Sequence, residues 1–106
     1  MASQRTVTEQ DPIEVAPHVY RVALENDRVR VLEVSLGPGE RVPQHSHPSM
    51  VIYALNDGRA RFTLPDGRTE DIELRAGQAV WLEPTTHSPE NTGDTELRVL
   101  NIEFKG

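Results

Sequence analysis

The sequence predicts an all-β fold, and three observations carry that expectation. Short runs rich in Val, Ile, Leu, Thr and Phe alternate with a period of two. Clusters of Gly, Pro, Asn and Asp interrupt them at roughly 8–12 residue intervals, the spacing of a sandwich or barrel. No stretch repeats its apolar residues every 3.6 positions for long enough to specify a helix.

Residues 1–17 are polar, and Pro12 and Pro17 interrupt regular structure there. They are expected to form an N-terminal arm or an edge strand ahead of a barrel spanning 18–106. "HVYRVAL" (18–24) and "RVRVLEVSL" (28–36) are Val-rich strands, bounded by Asn26-Asp27 and by Gly37-Pro38-Gly39. "MVIYAL" (50–55) stops at Asn56-Asp57-Gly58, and "RARFTL" (59–64) runs into Pro65-Asp66-Gly67. In that tripeptide Pro sets its own φ and Gly supplies the positive φ of a tight reversal, so a hairpin is expected. "TEDIEL" (69–74) and "AVWL" (79–82) follow on either side of Ala76-Gly77, and the Pro/Thr/Asn/Gly-rich segment 84–95 reads as a loop. "ELRVLNIEF" (96–104) alternates strictly, with Leu97, Val99 and Asn101 on one side and Arg98, Leu100, Ile102 and Phe104 on the other. About eight strands protect their edges either by closing as an up-and-down barrel or as a two-sheet jelly roll. Periodicity does not separate the two.

Composition narrows the function. At 106 residues, with 26% charged and 36% hydrophobic, the chain is expected to be one folded domain. A formal charge of −6 and the lack of a Lys/Arg cluster argue against nucleic acid and against an anionic membrane surface. No apolar run approaches the ~18 residues of a membrane span, and "MASQRTVTEQ" lacks the apolar core of a secretory signal, so the expected location is the cytoplasm. With no cysteine, any metal must sit on His, Asp, Glu or an amide oxygen.

The stretch "GERVPQHSHPSMVIYALNDG" (39–58) carries the chemistry. On a strand, His45 and His47 leave the same face about 6.6–7 Å apart along the chain. Imidazoles so placed can converge on one ion, and His87, forty residues on, offers a third. An HxH pair alone is weak evidence, since two surface histidines make the same pattern.

Taken together, these residues resemble the two motifs of the cupin family. The first is a glycine, five residues, HxH, a short spacer, a glutamate and a glycine; it maps to Gly39, His45, His47 and Gly58. The second is matched by Gly77, Pro84, His87 and Asn91, with one extra residue before the proline and no glycine in "PTTH". The strands framing both motifs run from about 28 to 104. The resemblance implies a cupin jelly roll with His45, His47 and His87 as metal ligands. "ENDRVRVLEV", "HSHP", "LPDG" and "HSPENTGDTELRVLNIE" look like a group of small stand-alone cupins of catabolic gene clusters, including those linked to β-alanine degradation.

One departure from the motif has chemical consequences. Where cupins usually carry the glutamate ligand, this chain has Val51 and Ile52, and by parity with the histidines Val51 is expected to point inward in an unbroken strand. Three neutral imidazoles leave a divalent ion its full double charge and an open position, which favours Lewis-acid chemistry. The donor set disfavours Mg²⁺ and Ca²⁺ and suits Fe²⁺, Zn²⁺, Ni²⁺ or Cu²⁺. The resemblance also permits dioxygenation on iron, and it equally allows a barrel whose site has decayed.

The remaining candidates have two readings each. Tyr53 shares the parity of His45 and His47 and is the candidate proton donor facing the interior; Trp81 either lines the same cavity or packs between sheets. Glu90 and Asn91 either steady an imidazole or cap a turn. Arg59 and Arg61 either bind a carboxylate substrate from the cavity or stand exposed on their strand, and His18 reads as a surface or edge-strand residue. The expected function is a small metal-binding cupin with Fe, Zn or Ni, acting on a small polar or carboxylate metabolite. The alternative is a non-catalytic cupin that binds a small ligand or ion, or a barrel with a degenerate site. A homodimer is expected because so small a barrel buries little core and cupins commonly pair through edge strands.

Overall fold

The period-two runs resolve into nine strands in a computed structural model of the chain, which describes residues 10–106. In chain order these are β1 (Tyr20–Glu25), β2 (Val29–Leu36), β3 (His45–His47), β4 (Met50–Ala54), β5 (Gly58–Thr63), β6 (Thr69–Leu74), β7 (Ala79–Leu82), β8 (Thr85–Asn91) and β9 (Leu97–Phe104). One short helix, α1 (Pro12–Val15), precedes them. The strands form two antiparallel sheets, ordered β1-β2-β9-β4-β7 and β3-β8-β5-β6. This is the all-β jelly roll of the two architectures that periodicity left open.

The core lies between the sheets because each strand sends alternate residues inward. β2 contributes Leu32, Val34 and Leu36, β9 contributes Leu97 and Val99, and β4 contributes Met50, Ile52 and Ala54. From the opposite sheet come Ala60, Phe62 and Leu74. Each large apolar side chain buried this way stabilises the fold by about 1.5–3 kcal/mol. The Pro65-Asp66-Gly67 reversal forms as expected, with Leu64 N–H donating to Arg68 O at 2.8 Å and Gly67 N–H to Leu64 O at 2.9 Å.

Two glycines position the histidine motifs. Gly39 and Gly77 adopt φ of 76° and 86°, a region that strains any residue with a Cβ. Gly39 N–H donates to Asn91 O at 2.9 Å, which ties the turn before β3 to the end of β8. Gly77 N–H donates to Ala54 O at 2.8 Å, which holds the turn before β7 on the end of β4.

Two expectations are revised. Residues 84–95 are not wholly loop, since 85–91 form β8 between β3 and β5. Pro89 hid this strand, yet its carbonyl still accepts from Val42 N–H at 2.8 Å, so only one ladder donor is lost. The arm or edge strand expected over 1–17 contains α1 within its described part, while residues 1–9 lie outside the described residues. Asp11 caps α1 by accepting from Ile13 N–H at 2.9 Å, and Pro12 opens the first turn. Asp-Pro is a helix-start signal as well as a breaker. Among the described residues no helix is long and apolar enough to cross a membrane.

Candidate metal centre

Strand register brings the three histidines together. β3 pairs with β8 so that His45 lies directly opposite His87 and His47 lies opposite Thr85. His45 and His47 share one face, so all three rings project into the same space. Ring centroids are 4.8 Å apart for His45 and His47, 5.1 Å for His45 and His87, and 5.2 Å for His47 and His87. One ring nitrogen from each lies within 4.8 Å of the other two. All three residues are buried, with exposures of 0%, 4% and 2%.

Hydrogen bonds fix the ring orientation of two of the three, His45 and His47. His45 Nδ1–H donates to Pro43 O at 2.9 Å, which leaves the lone pair on Nε2, where it accepts from the Tyr20 hydroxyl at 3.1 Å. His47 Nδ1–H donates to Glu103 Oε2 at 2.6 Å, which leaves its lone pair on Nε2. Glu103 Oε1 in turn accepts from Arg30 Nε at 2.9 Å, and Arg30 makes two further bonds of 3.1 Å to the Asp11 carboxylate. This is the carboxylate-histidine pairing that orients metal ligands and raises their basicity. His47 Nε2, His87 Nδ1 and Asn101 Oδ1 are buried with no hydrogen-bond partner among the described residues. Orphaned polar atoms of this kind are costly in a folded interior unless a ligand relieves them.

The electrostatics keep the site receptive to a cation. Burial, reinforced by the neighbouring His47, lowers the pKa of His45 from 6.5 to about 4. Burial, with His47 and His45 beside it, lowers that of His87 to about 2. Both imidazoles are therefore neutral near pH 7, as a metal ligand must be. Burial alone would raise the Glu103 pKa, but the His47 and Arg30 interactions outweigh it and hold the carboxyl below its ordinary value. Burial and the Glu103 charge raise the Tyr20 pKa, so its hydroxyl is protonated and is the donor toward His45.

Around the histidines the interior is apolar and nearly full. The free space there, about 40 Å³, is lined by Tyr20, Met50, Ile52, Phe62 and Asn101 together with His47 and His87. That volume admits only a very few water molecules. A larger groove of about 720 Å³ runs past Pro48, Pro84 and Phe104 and is also lined by Glu103, which hydrogen-bonds His47.

A family model described as a cupin domain matches residues 32–103. The chain belongs to the cupin family. Among solved structures, a cupin domain from Bordetella pertussis is 28% identical, with a TM-score of 0.76, over 83% of this chain and 93% of that one. An RmlC-like cupin family protein from Methanocaldococcus jannaschii is 17% identical (TM-score 0.65; 81% and 78% covered) and shows the fold alone. So does the polyketide cyclase RemF from Streptomyces resistomycificus, at 22% identity (TM-score 0.62; 100% and 81% covered). No curated protein matches.

The other predicted residues lie elsewhere on the cupin barrel. Tyr53 is 39% exposed on the outer face of β4, so its expected interior position is overturned. The reason is the break at Pro48 and Ser49: β3 belongs to one sheet and β4 to the other, so parity does not carry across. For the same reason Val51 points outward and Ile52, 5% exposed, takes the inward place near the missing carboxylate. Trp81 is also outside, 53% exposed, and stacks on Phe104 with centroids 5.8 Å apart. Asn91 holds backbone: its Nδ2 donates to Leu36 O and Thr95 O, each at 2.9 Å, and its Oδ1 accepts from Gly93 N–H at 2.8 Å. His18 is exposed and pairs with Glu40 at 3.1 Å.

Sequence reasoning missed Tyr20, Arg30, Glu103 and Asn101. A signal existed for two of them. Glu103 and Asn101 are in phase with Leu97 and Val99, and polar residues in an inward-facing row are candidates for a buried site.

Proposed function

We propose that this cupin is a metalloprotein in which His45, His47 and His87 hold one divalent transition ion, and that it acts as an enzyme on a small oxygen-bearing metabolite. The convergence of three buried imidazoles, with His47 Nε2 and His87 Nδ1 otherwise unpartnered, carries this reading. The all-nitrogen set suits Fe, Zn or Ni over Mg or Ca. When bound, such an ion supplies Lewis-acid polarisation of a carbonyl or carboxylate oxygen or, if it is iron, access to oxygen chemistry. The protein groups have separate tasks. Glu103 holds the proton on His47 Nδ1, the Pro43 carbonyl holds the proton on His45 Nδ1, and Met50, Ile52 and Phe62 exclude water. With only about 40 Å³ free, the reactive end of the substrate is limited to a few heavy atoms, such as a carboxylate or keto group. The test is turnover of small keto and hydroxy acids, with and without dioxygen, after reconstitution with Fe²⁺, Zn²⁺ or Ni²⁺. Activity lost on chelation and restored by the ion supports the enzyme. Tight binding without turnover under every ion would make the protein a ligand-binding module instead.

We also propose that the protein pairs with a second copy through the outer face of its five-stranded sheet. Strand register aligns Leu24, Val31, Ile102, Val51 and Trp81 in one apolar row across all five strands. Tyr53, Leu100 and Phe104 flank it. Leu24, Tyr53, Trp81 and Phe104 are each between a third and about half exposed. Together with the half-buried members, the patch offers on the order of 600 Å² of apolar surface, near the ~800 Å² per partner of a stable complex. A two-fold axis through the middle of the row would lay it on its own copy, so the face rather than the strand edges is the dimer surface. Light scattering should give a dimer mass for the wild type and a monomer mass for Trp81→Glu; a monomeric wild type at micromolar concentration would refute the pairing.

A further inference from the structure

An ion at the histidine cluster does not leave the surroundings of His45 unchanged. Because His45 Nδ1–H is committed to Pro43 O, the lone pair available for an ion is on Nε2, and the Tyr20 hydroxyl donates to that same lone pair. The two cannot share it. Once an ion takes the lone pair, the hydroxyl hydrogen loses its acceptor, and Tyr20 is 4% exposed, with no other hydrogen bond to its hydroxyl among the described residues. Its oxygen then needs a new partner, and an ion seated on the His45 Nε2 lone pair would lie beside it. The distance is suitable. Ligands about 2.0–2.1 Å from a tetrahedral ion are roughly 3.3–3.4 Å from one another, and Tyr20 Oη is 3.1 Å from His45 Nε2.

We infer that Tyr20 Oη is the fourth donor to the ion, supplying from β1 the anionic oxygen that the inward residue of β4, Ile52, does not. The inference rests on the reading of His45, His47 and His87 as metal ligands. Tyr20 lines the same interior space as His47 and His87, and its ring meets those of His45 and His47 edge-on, with centroids 5.3 Å and 6.2 Å apart. The pairing of Tyr20 with Val34 fixes its side chain on the inward face of the sheet. Held by an ion, the oxygen would be a phenolate, its proton leaving to solvent as the ion enters and the ion's charge offsetting the burial and the Glu103 charge that otherwise keep the hydroxyl protonated. One negative charge is thereby restored to a site that otherwise presents three neutral imidazoles. A substrate oxygen would then add to four protein donors, an expansion that zinc accepts.

Asn101 is the rival donor, since its Oδ1 is buried, unpartnered among the described residues, and faces the same space. Spectroscopy separates the two, because a phenolate bound to ferric iron gives a visible charge-transfer band and an amide does not. The experiment loads the full chain with one equivalent of Fe³⁺ and records bound iron and the visible spectrum for wild type, Tyr20→Phe and Asn101→Leu. The expected result is a band in the wild type and in Asn101→Leu, absent from Tyr20→Phe. Zn²⁺ affinity measured by chelator competition should fall at least tenfold in Tyr20→Phe, whose far-UV circular dichroism should match the wild type. Iron bound by the wild type without the band, or a band that survives in Tyr20→Phe, would overturn the role of Tyr20 and leave the three-histidine site standing. Failure of the wild type to bind either ion would overturn both.

Discussion

Glu103→Gln is the perturbation whose size follows most directly from the geometry. Glu103 is 2% exposed and accepts from two donors, His47 Nδ1–H at 2.6 Å and Arg30 Nε–H at 2.9 Å. A glutamine of the same shape has one acceptor oxygen and an NH₂ group, so one of those donors faces another donor. Leaving a buried donor unsatisfied costs about 1–3 kcal/mol, and more when the donor is charged, as Arg30 is. Arg30 keeps the Asp11 carboxylate, which limits the loss. The net effect is expected at about 2–4 kcal/mol, with a fall in Tm of roughly 10–25 °C for a domain of this size. Neutralising the group behind His47 should also weaken metal binding about 10–100-fold, the usual effect of losing such a carboxylate. Urea denaturation of the metal-free protein reads the first quantity, and Zn²⁺ competition against a chelator reads the second. Wild-type stability together with wild-type affinity in Glu103→Gln would refute the claim that this carboxylate orients His47.

Acid should destabilise the metal-free protein in a defined window. His45 is neutral when folded and has a pKa depressed from 6.5 to about 4, so below pH 6.5 the unfolded chain binds the proton more readily and folding stability falls until about pH 4. The full shift corresponds to roughly 3 kcal/mol. His87 extends the loss to lower pH, and Glu103 adds to it as the pH falls through its own depressed pKa. Denaturation midpoints measured between pH 7 and 4 should decline steadily; a flat profile would contradict the buried neutral imidazoles. Separately, Asn91→Ala removes three hydrogen bonds that hold the end of β8 to Leu36, Gly93 and Thr95. It should cost about 2–4 kcal/mol by calorimetry while leaving metal stoichiometry unchanged, since Asn91 does not touch the histidine cluster.

The elements most legible in the sequence are those governed by local rules. β6 and β7 occupy the residues expected of them, because turn chemistry brackets "TEDIEL" and "AVWL" on both sides. The histidine cluster was legible through the resemblance to the two cupin motifs, since His45 and His47 share one strand but His87 joins them only through the β3-β8 register. What failed depended on the third dimension. Strand parity does not carry from His47 to Tyr53 across Pro48 and Ser49, where the chain leaves one sheet for the other, so Val51 and Tyr53 face outward on β4. β8 was hidden because Pro89 and a run of polar residues argue locally against a strand that its neighbours on both sides stabilise. Tyr20, Arg30 and Glu103 come from three separate strands, and only the β1-β2-β9 pairing makes them neighbours of the histidines.

The central claim is that the three histidines hold an ion, and metal content tests it most directly. The measurement is elemental analysis of the protein purified without a histidine tag, set beside the variant carrying His45→Ala, His47→Ala and His87→Ala. Close to one equivalent of a transition metal per chain is expected in the wild type and none in the variant. Wild-type protein that carries no metal and retains none after incubation with Fe²⁺, Zn²⁺ or Ni²⁺ would contradict it.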